Sequence, residues 1–316
     1  MGEFDLIAEY FSWPVQRATL GVGDDCALFA PAAGQHLAVS SDMLVEGRHF
    51  LSTVAPERLG HKALAVNLSD LAACGARPLA FTLALALPKV DRDFLRGFAL
   101  GLHRLASAYG IELVGGDTTA GPLNICITAF GEVPVGQALL RRGARAGDRL
   151  WVSGTLGDAR LALEVFRGTL VLPGADFETV RLAMETPQPR VALGQTLRGV
   201  ASSAIDLSDG LLGDLQHVLK ASGTGATLDR DAIPRSAVLA RQSAAWQQTC
   251  VLAGGDDYEL LFTAPPAHDD AVRTAGAAAG VAVTPIGSID ARPGLRVVDA
   301  QGRPVLAELR GFDHFA

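Results

Sequence analysis

The stretch HKALAVNLSDLAACGARPLAFTLALAL, residues 61–87, decides the fold class of this chain. Its first part has a helix-like apolar pattern over residues 62–74, which Gly75 and Pro78 bring to an end. Its second part, residues 78–87, alternates poorly between apolar and polar positions and predicts a buried strand. A helix followed directly by a buried strand indicates a mixed architecture of helices and strands.

The same alternation continues on both sides of this stretch. The clearest helix is predicted at residues 91–109, with Asp91 or Asp93 as its cap and Gly110 as its stop. Further strands are predicted at 36–40, 111–114, 124–130, 149–153, 203–207 and 258–263, further helices at 159–166, 211–222 and 270–280, and a hairpin at 296–305. The sequence therefore predicts an α/β or α+β protein.

The length of 316 residues exceeds one ordinary core. A turn-rich stretch at residues 141–148 separates two halves that each contain strands and helices. We predict an N-terminal domain at 1–140 and a C-terminal domain at 147–316.

The composition restricts the classes of partner. The formal net charge is −7 and the basic residues are scattered, so DNA or RNA is not an expected partner. The four cysteines form no CxxC pair, which predicts small apolar core residues in a reducing compartment. No apolar run reaches membrane-spanning length, and the N-terminus has early acids where a secretory signal would be apolar. These features predict a cytoplasmic protein that binds no membrane.

Aspartates recur at the ends of apolar runs, usually with a glycine or serine beside them. They are Asp24, Asp25, Asp42, Asp117, Asp206, Asp209, Asp256 and Asp257. An ionised carboxylate near the core is costly unless it is paired or bound to a metal. Hard oxygen ligands without a supporting cysteine or histidine set favour Mg²⁺ over zinc.

The helix predicted over residues 62–74 adds two polar residues to this set. Asn67 and Asp70 are three positions apart, so they lie on one helical face among alanines and leucines. Aspartate and glycine are also turn formers and helix caps, and Asp209 could simply cap the next helix. Both interpretations of the aspartates remain open from the residues alone.

Phosphate binding has no ordinary signature in this sequence. The chain has no GxxxxGK[ST] motif, no complete Rossmann fingerprint and no HRD or DFG element. The turns at 115–116 and 154–157 could present backbone amides to a phosphate.

Arg141 and Arg142 could pair with nucleotide phosphates or form a solvated surface pair. His49 is a candidate contact or a structural side chain, and the aromatic tail at 311–315 could stack on a flat ligand.

Eight blocks in this order resemble the thiamine-monophosphate kinase family. They are GEFDLIAEYF, GVGDDCALF, SSDMLVEGRHF, HKALAVNLSDLAACGARP, GGDTTAGP, AIDLSDGL, GGDDYELLFT and GFDHF. The resemblance covers essentially the whole chain. The family is part of a larger group of ATP-binding enzymes similar to aminoimidazole ribonucleotide synthetase.

This resemblance implies a two-domain aminoimidazole ribonucleotide synthetase-like fold that forms a homodimer by joining N-terminal sheets. It implies ATP and several Mg²⁺ ions in the cleft between the domains, and thiamine monophosphate as the phosphate acceptor. The residues that match metal ligands of the family are Asp25, Ser40, Ser41, Asp42, Asp70, Asp117, Asp206 and Asp209. The residues that match ATP contacts are Gly116, Asp117, Arg141 and Ser208, and those that match substrate contacts are His49, Asp256 and Phe312.

Two positions depart from the family pattern. The family block is commonly GGEDYE, whereas this chain has Asp256, one methylene shorter than glutamate. The tail aromatic is often tyrosine or tryptophan, and Phe312 can stack but cannot donate a hydrogen bond.

The resemblance implies a metal-assisted, in-line phosphoryl transfer without a protein nucleophile, in which Asp42, Asp70 and Asp209 would act through the metal. Two alternatives remain. One is another ATP-dependent synthetase of the same group, although a selenophosphate synthetase usually needs a reactive cysteine near its start and no cysteine precedes Cys26. The other is a nucleotide-binding regulator that has the fold without the activity.

Overall fold

A computed structural model describes residues 2–305 of the chain. It divides into two compact units, one formed by Met1–Leu71 and Ala76–Gly136 and the other by Ala72–Gly75 and Gln137–Ala316. Within residues 2–305, no helix is both long enough and apolar enough to cross a membrane. The domain limits 1–140 and 147–316 stay a prediction.

The first unit is a four-stranded sheet with helices. Its elements are α1 (Glu3–Tyr10), β1 (Gln35–Val45), α2 (Pro56–Ala73), β2 (Arg77–Leu87), α3 (Arg92–Tyr109), β3 (Glu112–Ala120) and β4 (Asn124–Pro134). The strand order is β1-β4-β2-β3, so β1 is an edge strand. β4 runs antiparallel to both β1 and β2, and β2 runs parallel to β3.

The helix α3 forms as its sequence predicts. The carboxylate of Asp91 accepts hydrogen bonds from the amides of Asp93 and Phe94, both at 3.1 Å, and Gly110 ends the helix with φ 59°. Asp93 is therefore not the cap, and it pairs with Arg96 at 3.0 Å instead. Phe98, on the apolar face of α3, is fully buried, which contributes about 1.5–3 kcal/mol to folding.

The helices α2 and α3 approach each other very closely. A Cβ atom on Gly60 would lie 2.0 Å from the carbonyl oxygen of Phe98, and one on Gly101 would lie 1.8 Å from that of Glu57. Only glycine fits at both positions. This contact fixes the helix that carries Asp70.

The second unit contains a six-stranded sheet in the order β10-β7-β9-β5-β8-β6. Its strands are β5 (Arg149–Ser153), β6 (Ser203–Asp206), β7 (Gly225–Asp229), β8 (Leu260–Ala264), β9 (Val283–Asp290) and β10 (Gly294–Val298). Its helices are α4 (Asp158–Phe166), α5 (Gly174–Glu185), α6 (Val191–Thr196), α7 (Leu211–Ser222), α8 (Ala237–Ala240), α9 (Ala244–Ala253) and α10 (Asp269–Ala278). Leu150, Leu161, Leu215 and Leu261 lie in its apolar core.

Several sequence predictions change in detail. β8 begins at Leu260 rather than at 258, because Asp256 and Tyr258 have φ of 64° and 51°, outside the strand region. The hairpin predicted at 296–305 does turn at 299–302, where the amide of Gly302 donates to the carbonyl of Asp299 at 2.8 Å. The prediction that all cysteines are core residues is wrong, since Cys250 is buried but Cys26 is exposed.

Candidate active site

In the first unit, β1 and α2 bring two predicted metal ligands together. The hydroxyl of Ser40, on β1, donates a hydrogen bond to the carboxylate of Asp70, on α2. Asp42 is two positions after Ser40, so it lies on the same face of the sheet. These three oxygen-bearing side chains therefore belong to one side of the strand.

Asn67 lies one helical turn before Asp70 and is fully buried. Its side-chain nitrogen donates to the carbonyl oxygen of Ala63 at 3.2 Å. Its side-chain oxygen Oδ1 has no hydrogen-bond partner among the described residues. A buried amide oxygen of this kind is available to a cation, a water molecule or a ligand.

The opposite face of the same sheet carries two other predicted ligands. The hydroxyl of Ser41 contacts that of Thr128 at 3.0 Å. Asp117, on β3, lies in one row with Met43 across β4 and β2. Since three strand spacings separate β1 from β3, the Cα atoms of Met43 and Asp117 are about 14 Å apart. Ser41 and Asp117 thus share a face that Ser40 and Asp42 do not.

Gly116, beside Asp117, fills a position that no other residue can occupy. Its φ is 151°, and a Cβ atom there would lie 1.8 Å from the carbonyl oxygen of Leu83. The glycine therefore lets β3 lie against β2 just before the predicted ATP contact Asp117.

Two further predicted site residues of the first unit lie in loops. Asp25 is exposed, and its amide donates to the carboxylate of Asp24 at 2.8 Å. His49 follows β1, and its ring nitrogen Nδ1 accepts a hydrogen bond from the amide of Val45 at 2.9 Å. Because a backbone amide can only donate, the neutral imidazole carries its proton on Nε2. The buried Lys62 donates to the carbonyl oxygen of His49 at 3.1 Å.

In the second unit, the connection between β6 and α7 holds three predicted residues. Asp206 ends β6, and Ser208 and Asp209 follow it. Asp209 does not cap α7, because the N-cap position of this helix is Gly210, which has no side chain to make a capping hydrogen bond. The capping alternative for Asp209 is therefore wrong.

Asp214, in the first turn of α7, was not among the predicted residues. Its carboxylate oxygen Oδ2 accepts hydrogen bonds from the amides of Ser208 and Asp209, each at 3.1 Å. Burial and the negative charges of Asp209 and Asp206 raise the pKa of Asp214 to about 7. The negative charges of Asp206 and Asp209 thus both act on Asp214, and a bound cation would reduce this repulsion.

Asp256 lies beside the same connection. Its amide donates to the carbonyl oxygen of Ser208 at 2.9 Å, and its carboxylate accepts from the hydroxyl of Tyr258 at 3.0 Å. A Cβ atom on Gly255 would lie 2.5 Å from the same carbonyl oxygen. The predicted substrate contact and the predicted ATP contact of this unit are therefore adjacent.

The glycine-rich turn at residues 154–157 does not offer a phosphate cradle. The amides of Gly154 and Leu156 donate to the carbonyls of Ala282 and Pro234, at 2.9 and 3.0 Å. The amide of Gly157 donates to the carboxylate of Asp257 at 2.8 Å. That hypothesis is wrong for these three amides, because each already has a protein acceptor.

Asp257 and Asp158 are buried acids of structural character. Burial raises the pKa of Asp257, and the charges of Glu259, Asp158 and Asp256 add to this effect against the opposing hydrogen bond from Gly157. Burial also raises the pKa of Asp158, although the hydroxyl of Ser236 donates to it at 2.7 Å.

The last two predicted site residues are Arg141 and Phe312. Arg141 is exposed, and its carbonyl oxygen accepts from the hydroxyl of Ser222 at 3.4 Å. Phe312 lies outside the described residues. Across residues 2–305, no three histidine, cysteine or acidic side chains form a ready-made metal cage.

Comparison with known proteins assigns the family. Residues 23–133 match the N-terminal domain of AIR synthase related protein, and residues 145–300 match its C-terminal domain. Thiamine-monophosphate kinase of Salmonella typhimurium is 46% identical over 326 residues, covering 100% of this chain and 98% of the relative. The chain belongs to the thiamine-monophosphate kinase family.

Solved structures of the family agree with this assignment. Thiamine-monophosphate kinase from Stenotrophomonas maltophilia, at 44% identity, superposes with a TM-score of 0.85 over 91% of this chain and 92% of that one. AaThiL complexed with AMPPCP and TMP, at 29% identity, has a TM-score of 0.79 over 90% of this chain and 89% of that chain. The two-domain fold expected from the sequence is thereby confirmed.

Two buried acids of this thiamine-monophosphate kinase family member were not predicted from the sequence. One is Asp214, whose only signal was its position five residues after Asp209. The other is Glu259, whose carboxylate accepts from Nε and Nη2 of Arg190 and from the hydroxyl of Ser153. This pair fixes the start of β8, directly after the segment that contains Asp256.

Proposed function

We propose that this protein is an ATP-dependent kinase that phosphorylates thiamine monophosphate to thiamine diphosphate. The observation that carries the proposal is the full-length similarity to thiamine-monophosphate kinases, at 46% identity in the Salmonella typhimurium enzyme. The AaThiL structure, a complex with AMPPCP and TMP, supports an ATP analogue and the acceptor as ligands of this fold.

The proposed reaction is an in-line transfer of the γ-phosphoryl group. A phosphate oxygen of thiamine monophosphate forms a bond to the γ-phosphorus of ATP. The bond between the γ-phosphorus and the β,γ-bridging oxygen breaks at the same time, and ADP leaves. The acceptor has a second pKa of about 6, so it is largely dianionic at neutral pH and needs no strong general base. The protein must instead hold two anionic groups in line and lower their repulsion.

The oxygen donors of each unit fit magnesium. Mg²⁺ usually binds one or two carboxylates together with phosphate oxygens and water, rather than a complete protein cage. Ser40 with Asp70 in the first unit, and Asp206 with Asp209 in the second, are donor sets of this kind. When bound, Mg²⁺ would neutralise charge on the phosphates.

The full set of metal ligands that we propose is Asp25, Ser40, Ser41, Asp42, Asp70, Asp117, Asp206 and Asp209. Ser41 and Asp117, on the other face of the sheet, would serve a different ion from Ser40, Asp42 and Asp70. The hydroxyl of Ser208 and the backbone of β3 at Gly116 would contact ATP, together with Asp117 and Arg141. His49, as an Nε2–H donor, would bind the acceptor with Asp256 and Phe312. The repelling carboxylates beside Asp214 support a cation in the second unit.

We also propose that the chain forms a homodimer through the edge strand β1. Leu37, Val39 and Met43 lie on one face of β1, together with Ser41, and these three apolar residues are 44%, 57% and 54% exposed. An apolar face on an open sheet edge is a surface that a second strand can cover. A cytoplasmic location remains a prediction.

One assay tests the proposed function against its alternatives. The purified protein, ATP and Mg²⁺ are incubated with thiamine monophosphate, and ADP and thiamine diphosphate are measured together. We expect equal amounts of both products. ADP only with another acceptor would favour a related synthetase, and no ADP with any acceptor would favour a regulator.

A further inference from the structure

Asp214 connects two site residues of the second unit through their backbone. It is 3% exposed, and its Oδ2 atom accepts from the consecutive amides of Ser208 and Asp209, each at 3.1 Å. Asp214 belongs to α7, and its own amide donates to the carbonyl oxygen of Gly210 at 3.0 Å. The side chain therefore reaches back from the first helical turn over the residues that precede the helix.

The backbone of Ser208 is held from both sides. Its amide donates to Asp214, and its carbonyl oxygen accepts from the amide of Asp256 at 2.9 Å. A serine has two hydrogen-bond donors, the amide and the hydroxyl, so the hydroxyl is the donor left for a ligand. The amide of Asp209 also donates to Asp214, so the carboxylate of Asp209 is the group that can bind a cation.

We propose that Asp214 is a positioning residue that sets the backbone of Ser208 and Asp209 for metal-bound nucleotide. This inference rests on the proposed function, because it takes the nucleotide and Mg²⁺ as the ligands of this connection. Without an acceptor at Asp214, the two part-buried amides would turn to water or to another partner, and the side chains of Ser208 and Asp209 would move with them. Residues that support metal ligands in this way commonly change metal affinity when they are replaced.

Two substitutions distinguish a positioning role of Asp214 from direct ligation of the metal. In Asp214→Asn, the amide oxygen can occupy the place of Oδ2 and accept from the same two amides, although the charge is lost. In Asp214→Ala, the acceptor is lost altogether. A positioning residue therefore tolerates asparagine but not alanine, whereas a direct metal ligand tolerates neither.

The experiment compares wild type, Asp214→Asn and Asp214→Ala with a matched control, Asp148→Ala. Asp148 is also buried, and its carboxylate accepts from the amide of Arg145 at 2.9 Å, but it belongs to the turn before β5. Two quantities are measured on each full-length protein. The first is the Kd of Mn²⁺–ADP by calorimetry, and the second is the KM for ATP and for thiamine monophosphate.

For Asp214→Ala we expect the Kd of Mn²⁺–ADP and the KM for ATP to rise about 10- to 100-fold, with the KM for thiamine monophosphate within about threefold of wild type. Asp214→Asn and Asp148→Ala should stay within about threefold of wild type in all three quantities. Wild-type affinity in Asp214→Ala, equal losses for both substrates, or asparagine as weak as alanine would each overturn the inference.

Folding and function are kept apart by the design. If Asp214→Ala does not fold, Asp214→Ser replaces it, because the shorter side chain cannot reach both amides. If neither variant folds, Asp214→Asn alone decides, and a tenfold loss of Mn²⁺–ADP affinity there overturns the inference. A wild-type protein that binds Mn²⁺–ADP without phosphorylating thiamine monophosphate would contradict the proposed function and leave the binding comparison intact.

Discussion

The amide of Asp256 donates a hydrogen bond of 2.9 Å to the carbonyl oxygen of Ser208. One residue matches a substrate contact of the family and the other an ATP contact, and both lie in the second unit. Next to this bond, the amide of Tyr258 donates to the carbonyl of Leu207 at 2.8 Å. A change in one segment is therefore transmitted to the other through the main chain.

Gly255 allows this close approach, and Gly255→Ala should disturb both segments. The added Cβ atom would lie 2.5 Å from the carbonyl oxygen of Ser208, so the backbone must shift. We expect a loss of about 1–3 kcal/mol in stability and higher KM values for both ATP and thiamine monophosphate. Steady-state kinetics and urea denaturation measure the two effects. Gly174→Ala is the control, because a Cβ there meets nothing within 4 Å; equal behaviour of the two variants would contradict the prediction.

The sequence predicts the elements of this fold well where local signals decide them. The bounds of α7, Leu211–Ser222, agree with the prediction, because Gly210 and Gly223 lie on either side and Gly223 adopts a left-handed conformation with φ 67°. The start of β8 was predicted two residues early, since a positive φ at Tyr258 leaves no mark in an apolar pattern.

The candidate site was predictable only in part. Aspartates at the ends of apolar runs pointed to Asp42 and Asp206, and the family resemblance supplied His49. The role of Asp214 depends on the direction of its side chain, which lies in the first turn of α7 and accepts a hydrogen bond from Ser208, before the helix begins. The apolar periodicity of the sequence does not predict this direction. The pairing of Ser40 with Asp70 likewise needs a strand and a helix that are 30 residues apart in sequence.

Asp70→Asn should remove activity from a folded protein. Asparagine can still accept the hydrogen bond from the hydroxyl of Ser40, so the contact between β1 and α2 is kept. Loss of a charged metal ligand should raise the barrier by about 3 kcal/mol, which lowers kcat about 100-fold. The control is Asp93→Asn, an exposed acid of α3. Normal kcat in Asp70→Asn, with circular dichroism like that of wild type, would refute the role given to this residue.

His49→Ala should weaken binding of the acceptor selectively. The amide of Val45 donates to Nδ1, so the neutral imidazole carries its proton on Nε2, the atom that would donate to a phosphate oxygen. Loss of a hydrogen bond to a charged group costs about 1.5–3 kcal/mol, which raises the KM for thiamine monophosphate about tenfold or more. The KM for ATP should stay near the wild-type value. His36→Ala, an exposed histidine of β1, serves as the control. An equal rise in both KM values would argue against a direct acceptor contact.

Glu132→Gln should destabilise the protein in a pH-dependent manner. Burial alone would raise the pKa of Glu132, but the amide of Ala32 and the guanidinium of Arg77 outweigh burial and lower the pKa below its ordinary value of 4.5. A depressed carboxyl pKa contributes stability that is complete above pH 4.5 and is lost as the pH falls through the folded-state pKa.

Urea denaturation measures this effect. Glu132→Gln should be about 1.5–3 kcal/mol less stable than wild type at pH 7, and the difference should shrink below pH 4.5. Glu46→Gln, at an exposed acid of the same unit, should differ little from wild type at either pH. A difference that stays constant or grows on acidification would show that the charge of Glu132 is not the cause.

Val39→Asp should separate the proposed homodimer into monomers. Val39 is 57% exposed on the edge strand β1, between Leu37 and Met43 on the same apolar face. A carboxylate on this face would be buried without a partner if two copies joined there, and that cost is several kcal/mol. Sedimentation equilibrium should show a dimer for wild type and a monomer for Val39→Asp. The matched control is Val171→Asp, at a valine of the second unit that is 89% exposed, and it should remain a dimer. A monomeric wild type, or a Val39→Asp variant that still dimerises, would exclude this face as the interface.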